Sequence, residues 1–351
     1  MPSRNRRSSQ SRDRVPVEVR PAWEISTFML NQLSEALSSG TTAKIFHVTF
    51  DFKNPDHVRT IDGFSSEQVI EWMKANGYED EVYELTLKSI CTALAHDLLE
   101  FAGAAVLASL DGRLTVAHAL LRKPFKENLF YIEWILADPD DFFRRFFAGE
   151  TEALSLGKMD EARKVRIIRD AMATTRYSEW IEPEFLYELR YDKKSLVSLE
   201  PTWQKANHLI TTQGALRTEA ENFNFVFSDP TARNTQLRGF YASIPILFFH
   251  ALQMIESMIS MFAQREAPDL VPLRTLIGMD LWMATDSCAF DLADVKHRIH
   301  RVVTRTLQSL RCFQCKGRFS VAAPSLHAAF DRGELPCHKC GWVMPLHDPT
   351  L

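Results

Sequence analysis

EVYELTLKSICTALAHDLLEFAGAAVLASL, residues 81–110, decides the class of fold. Tyr83, Leu87, Ile90, Leu94, Leu98 and Phe101 recur every three or four positions. That spacing lines one face of an α-helix and predicts a long helix with one buried stripe. Asp111 and Gly112 interrupt the pattern, which resumes over 114–136. The segment therefore predicts a helical hairpin, with one continuous helix containing Gly112 as the alternative. Pro124 has no N–H for the carbonyl of Leu120, which predicts a kink or restart near Lys123. Asp138 and Pro139 end the second arm, and a short helix begins at 140–147.

Outward from the hairpin, helical periodicity is found at 23–37, 160–174, 183–190, 239–264, 273–283 and 291–310. Ser65 followed by Gln68 has the capping-box spacing, and Gly77 closes the helix that this pair opens. Strand-like content is confined to 44–52, 208–212 and 223–227. The expected fold is mainly α, a multi-helix bundle with minor strand content. The chain has 351 residues, 46% hydrophobic and 25% charged, enough for one large or two ordinary domains with a true core. Collagen-like, low-complexity and disulfide-scaffold classes are excluded. Residues 240–263 are apolar but contain Pro245, His250, Gln253 and Glu256. Gln253, Glu256, Ser257, Ser260 and Gln264 share one helical face opposite Phe248, Leu252, Ile255, Ile259 and Phe262, so this reads as an amphipathic core helix and no membrane span is expected.

The net charge of −4 is uneven. Residues 1–20 hold six arginines against Asp13 and Glu18, a local +4 that leaves −8 on the remainder. An acidic body argues against a broad nucleic-acid face and confines that function to local basic patches. The head lacks both an apolar core for a signal peptide and apolar periodicity, and residues 1–22 are expected to be a disordered tail ahead of a helical domain, 23–310. Of six cysteines, Cys91 and Cys288 are isolated and the other four form two CxxC pairs, which with no secretory signal fits a reducing cytoplasm.

Helical periodicity stops at Arg311, and Cys312, Cys315, Cys337 and Cys340 follow in the contexts RCFQCKG (311–317) and LPCHKCGW (335–342). C-x2-C-x21-C-x2-C lets two turns present four thiolates to one ion, the tetrahedral set that Zn²⁺ prefers. A redox CxxC would need a strand-to-helix junction in a βαβ unit, and none is visible. Residues 311–351, with both knuckles intact and Gly341 directly after the second, resemble zinc ribbons. Four sulfurs leave no open coordination position, so the expected cofactor is one structural Zn²⁺. The ribbon itself is nearly neutral once a charge of about −2 is assigned to a four-thiolate zinc. More basic is the helix leading into it, where Lys296, Arg298, Arg301, Arg305 and Arg311 meet no acid after Asp294. Leu292, Val295, Ile299, Val302 and Leu310 form its apolar stripe. Two readings stand: a site for a phosphate backbone, or a solvated face offsetting the acidic body.

LLRKPFKENLFYIEWILADPDDFFRRFF, residues 120–147, resembles a helix of uncharacterised all-helical bacterial proteins grouped with abortive-infection and HEPN-like domains. The resemblance implies a helical body, dimerisation and a role in phage defence or stress, sometimes with ribonuclease activity. HEPN ribonucleases carry Arg-x4-6-His, and Arg113 with His118 has that spacing, as do Arg332 and His338 within the ribbon. In such a site the His acts on the 2′-OH and phosphate while the Arg stabilises developing charge.

Other polar groups invite structural readings. His96 and Glu100 share a helical face that Arg122 or Glu127 could approach across the hairpin, most simply as a buried polar cluster. Glu133, inside LFYIEWIL, reads as a paired core carboxylate or a partner-facing residue. His208, Thr218, Glu219, Asn222 and Asn224 form a polar segment of the kind that lines pockets or satisfies irregular backbone. There is no Gly-rich phosphate loop, nucleophile elbow or His-Glu-x-x-His helix. The sequence therefore predicts a zinc-binding helical protein whose ribbon and basic helix bind RNA, DNA or a partner protein. A metal-independent HEPN-like ribonuclease and an architectural homodimer are the alternatives.

Overall fold

The computed structural model describes residues 14–212, 217–218, 232–263, 273–285, 288, 290 and 292–346. The order is α1 (Arg20–Thr42), α2 (Asp56–Thr60), α3 (Ser66–Ala75), α4 (Glu79–Leu110), α5 (Leu114–Lys123), a π-helical turn (Pro124–Asn128), α6 (Leu129–Ala137) and α7 (Pro139–Phe147). There follow α8 (Thr151–Leu154), α9 (Glu161–Met172), α10 (Pro183–Tyr191), α11 (Glu200–Asn207), α12 (Arg233–Phe262), α13 (Leu273–Met283), α14 (Ala293–Ser309), α15 (Ala323–Arg332), β1 (Glu334–Pro336) and β2 (Val343–Pro345).

The hairpin forms as the pattern requires: α4 turns at Gly112, whose φ of 74° suits glycine, and α5 returns along it. Ser109 and the hydroxyl of Tyr241, 2.7 Å apart, tie the hairpin to α12. Pro124 does not stop the helical run. The backbone widens into one π turn, in which Leu129 N–H reaches Pro124 O, and continues helically on both sides. Two carbonyls of this turn are taken by α10: Phe125 O accepts from Arg190 Nη1 at 3.2 Å and Lys126 O from the Tyr191 hydroxyl at 2.8 Å. The irregular turn is thus braced from a neighbouring helix.

The capping box is present, with Ser65 N–H donating to Gln68 Oε1 at 2.8 Å and Gln68 N–H to Ser65 Oγ at 3.3 Å. Gly77 follows at φ 81°. The expected strand at 44–52 does not form. Alternation supplies an apolar face but no partner edge, and Phe50 and Phe52 instead pack on Tyr78 beside Met73 and Val82. Nor is 208–212 a strand; Thr218 N–H donates to Thr211 O at 2.8 Å in a local closure. The third expected strand, 223–227, lies outside the described residues.

Ile25, Met29, Leu33 and Leu37 of α1 are fully buried at helical spacing. Val15 and Val19, within the segment read as a tail, are also buried in that cluster, so packing begins before α1. α12 is the core helix expected, with Glu256 and Ser257 half-buried and Ser260 exposed on its polar face. Both α4 and α12 are long and apolar enough to cross a membrane by composition, but 83% of the α12 window is buried inside the protein. Gln253, placed on the polar face by the sequence, is buried and accepts a bond from the Thr175 hydroxyl at 3.4 Å.

The spacer between the two CxxC pairs holds α15, which the sequence reading missed. Pro324 occupies its first turn and Gly333, at φ 66°, its C-terminus. Phe330 projects from α15 onto α13 and α1. A Cβ on Gly278 would lie 2.4 Å from Phe330 Cε2 and 2.6 Å from Ile25 Cδ1, so only glycine admits this approach. Arg274 Nε donates to Phe330 O at 2.6 Å. Cys312, Phe319, Leu326, Leu335 and Cys337 share one buried cluster with the body, which docks the C-terminal module onto the bundle.

Candidate metal centre and its basic surroundings

The two CxxC turns are built alike. Cys312 N–H donates to Gly317 O and Lys316 N–H to Cys312 O, both at 2.9 Å. In the second turn Cys337 N–H donates to Trp342 O at 2.7 Å and Gly341 N–H to Cys337 O at 2.8 Å. Each turn closes with the residue after its second cysteine in left-handed backbone, Lys316 at φ 57° and Gly341 at φ 76°. Gly317 serves spacing instead, since a Cβ there would sit 3.2 Å from Cys315 Sγ. Antiparallel β1 and β2, with Leu335 opposite Met344, bring the second turn back towards the first.

All four Sγ atoms lie within 4.8 Å of one another, with Cys312 to Cys340 and Cys315 to Cys337 each 3.6 Å apart. A tetrahedron of sulfurs at about 2.3 Å from a central ion has edges of about 3.8 Å, whereas a disulfide would require about 2.05 Å. The donor set therefore fits one metal ion and not two disulfides, and the four cysteines are free. The Lys339 N–H, then the Cys340 N–H, pull the Cys337 thiol down to about 6. Cys340 is pulled down by the Trp342 N–H, but burial and the neighbouring thiols outweigh this and push it up to about 12. The thiols thus compete for negative charge, and a central cation relieves that competition. Outside this group Cys91 is buried, its thiol pushed up to about 12 by desolvation. Among the described residues no other group of three or more His, Cys, Asp or Glu side chains converges in this way.

α14 presents its basic residues outward as expected: Val295, Ile299, Val303 and Leu307 are buried, while Lys296, Arg301 and Arg305 are exposed and Arg298 is half-buried. Among the described residues no carboxylate pairs with these four cations. Arg301 Nη2 lies 2.6 Å from His297 Nε2. Arg311 is differently employed, its Nη1 donating to Gln308 O at 2.6 Å and Leu310 O at 3.0 Å at the end of α14. Beyond it the first CxxC turn carries Phe313, 76% exposed. Its ring lies 6.1 Å from that of Trp342, and Lys316 Nζ lies 5.2 Å from its centroid. Sequence reasoning passed over this pair, although an aromatic between the cysteines of a CxxC was the available signal.

Arg113 and His118 are not brought to one open cleft. Arg113 N-caps α5 with its guanidinium exposed, 3.6 Å from Asp111. His118 is buried, packs edge-on against Phe240 and has Nδ1 without a hydrogen-bond partner. Burial lowers its pKa to about 4. His338 and Arg332 are exposed in the ribbon, where Arg332 pairs with Glu334 at 3.1 Å.

The remaining candidates are structural or exposed. His96 and Glu100 are exposed and form no buried cluster; across the hairpin it is Asp97 that meets Lys123 and Asn128, both at 2.6 Å. Arg122 is 3.5 Å from Glu127. Glu133 is a paired core carboxylate, contacted by Arg190 Nη2 at 2.8 and 3.0 Å and by His250 Nε2 at 2.6 Å, with all three side chains buried. Burial alone would raise its pKa, but the Arg190 charge and the His250 bond outweigh that and keep it ionised. His208 is exposed and Thr218 half-buried, while Glu219, Asn222 and Asn224 lie outside the described residues. No protein-family model, curated protein or solved structure matches the chain, whose distinguishing features are its helical fold and a four-cysteine, ribbon-like cluster that could hold a metal ion.

Proposed function

We propose that the four cysteines hold one structural Zn²⁺ and that the surface so fixed binds single-stranded nucleic acid. The observation that carries this reading is Phe313: an aromatic ring 76% exposed on a CxxC turn, beside Trp342 and beneath a lysine, at the end of a helix whose arginines meet no carboxylate among the described residues. A ring this exposed is open to stacking, and every base offers a π face for it. Unpaired cations alongside would follow the phosphate backbone, adding affinity without reading sequence. Zinc would supply no chemistry here beyond holding the two turns that carry Phe313 and Trp342.

Fluorescence anisotropy with labelled single-stranded RNA and DNA, measured across a salt series, tests the proposal. Stacking of one base is worth about 1–3 kcal/mol, so Phe313→Ala is expected to weaken binding by about fivefold to a hundredfold. Reversing charge at Arg301 and Arg305 is expected to flatten the dependence on salt. No binding by the zinc-loaded chain, or binding indifferent to both changes, overturns the reading and leaves the face to a protein partner.

A further inference from the structure

A cleft of about 590 Å³ lies where the π turn, α9, α10 and the start of α11 meet, and it carries an excess of cations. Arg122, Lys126, Lys164, Lys193 and Lys194 line it against Glu127, Asp192 and Glu200, a formal surplus of two positive charges. Glu200 is fully buried, pairs with Lys126 and accepts a bond from Gln204 Nε2 at 2.8 Å. Glu127 lies 3.5 Å from Arg122. Lys164 and Lys193 have no carboxylate partner among the described residues, and Lys164 Nζ instead sits 5.3 Å from the centre of the Tyr191 ring.

This clustering works against the fold. Burial first, and then the charge of Lys126, disfavour the protonated form of Lys164; for Lys126 burial and the charges of Arg122 and Lys193 outweigh the opposing pull of Glu200. Like charges in a partly enclosed site repel with less screening than on an open surface, and a bound anion reverses the sign of that interaction. Two polar atoms on residues of the wall, Arg122 Nε and Glu200 Oε2, are buried with no hydrogen-bond partner among the described residues. One is a donor and the other an acceptor, so the site also suits a ligand with hydroxyl or amine groups. The volume is in the range of small-molecule sites, about 300–1,000 Å³.

We propose that this cleft binds a small phosphate monoester, its dianion held by Lys126, Lys164 and Lys193 and its polar body set against Arg122 and Glu200. The surplus of two positive charges matches the dianion, and Tyr131, Tyr187 and Tyr191 line the same cleft. The site is remote in sequence from the ribbon and stands or falls independently of nucleic-acid binding there.

Isothermal titration of the full zinc-loaded chain with inorganic phosphate, ribose 5-phosphate, adenosine 5′-monophosphate and unphosphorylated ribose tests this. At least one phosphate monoester is expected to bind with Kd below about 1 mM, and ribose is expected not to bind. Inorganic phosphate binding as tightly as both esters would reduce the site to an anion hole and overturn the monoester assignment. Lys164→Gln is expected to weaken binding at least about tenfold, and Lys193→Gln, at an exposed position that does not endanger folding, to weaken it in the same direction. Lys74→Gln, on α3 outside the cleft, is expected to change nothing. Ester binding unaffected by either cleft variant, or no ester binding at all, contradicts the proposal.

Discussion

Replacing His118 by Leu should remove a definite part of the protein's sensitivity to acid. The imidazole is buried between α5 and Phe240, and that burial lowers its pKa from 6.5 to about 4. In the unfolded chain the ring takes up a proton below about pH 6.5; in the fold it does so only below about 4. Its contribution to stability is therefore complete above 6.5 and is lost as pH falls towards 4, since the unfolded state then binds the extra proton. At about 1.4 kcal/mol per pH unit the loss amounts to about 3 kcal/mol across the window. Urea unfolding of the parent and of His118→Leu at about pH 7 and about pH 4.5 measures it, because carboxylates, His250 and the metal site contribute equally to both proteins. The parent should lose about 2–3 kcal/mol more than the variant between the two conditions. Parallel losses would refute the argument, and a normal His118 pKa with altered RNA cleavage would restore the ribonuclease reading.

Three further substitutions test the packing. Arg190→Met leaves Glu133 buried with only His250, and should destabilise by about 3–5 kcal/mol in urea unfolding; a loss under about 1 kcal/mol would show that the core reorganises around the carboxylate. Gly278→Ala forces a methyl into Phe330 and Ile25. It should cost about 1–3 kcal/mol and lower the thermal midpoint, whereas an unchanged midpoint would mean that α15 is not held against α13 and α1. Lys316→Gly removes a side chain from left-handed backbone and should stabilise the metal-loaded protein by about 1 kcal/mol, read as a rise in the unfolding midpoint.

Where local chemistry decides the structure, the sequence was legible. The hairpin, the Ser65 capping box and the four-cysteine cluster each depend on residues whose geometry is set by short spacing or by turn chemistry. The failures depend on distant partners. Residues 44–52 alternate as a strand would, yet no edge adjoins them, and their aromatic rings serve the Tyr78 cluster instead. Gln253 belongs to a polar pattern but faces Thr175, because α12 is enclosed by other helices. Glu133 is the paired core carboxylate its apolar surroundings suggest, but its partners, Arg190 57 residues away and His250 117 away, lie in no local window. α15 went unread for a different reason: its signals, Pro324 and Gly333, lie in a spacer between two CxxC pairs whose spacing alone carries the metal-site pattern.

The metal site supports both the docking of the C-terminal module and the surface proposed for nucleic acid. Metal analysis of the purified full-length chain, paired with thiol titration before and after chelation, addresses it most directly. One equivalent of zinc per chain, with four thiols becoming reactive only when the metal is removed and the zinc lost in Cys312→Ser, is the predicted result. Substoichiometric zinc with those four thiols freely reactive, or oxidised in pairs, would contradict the account.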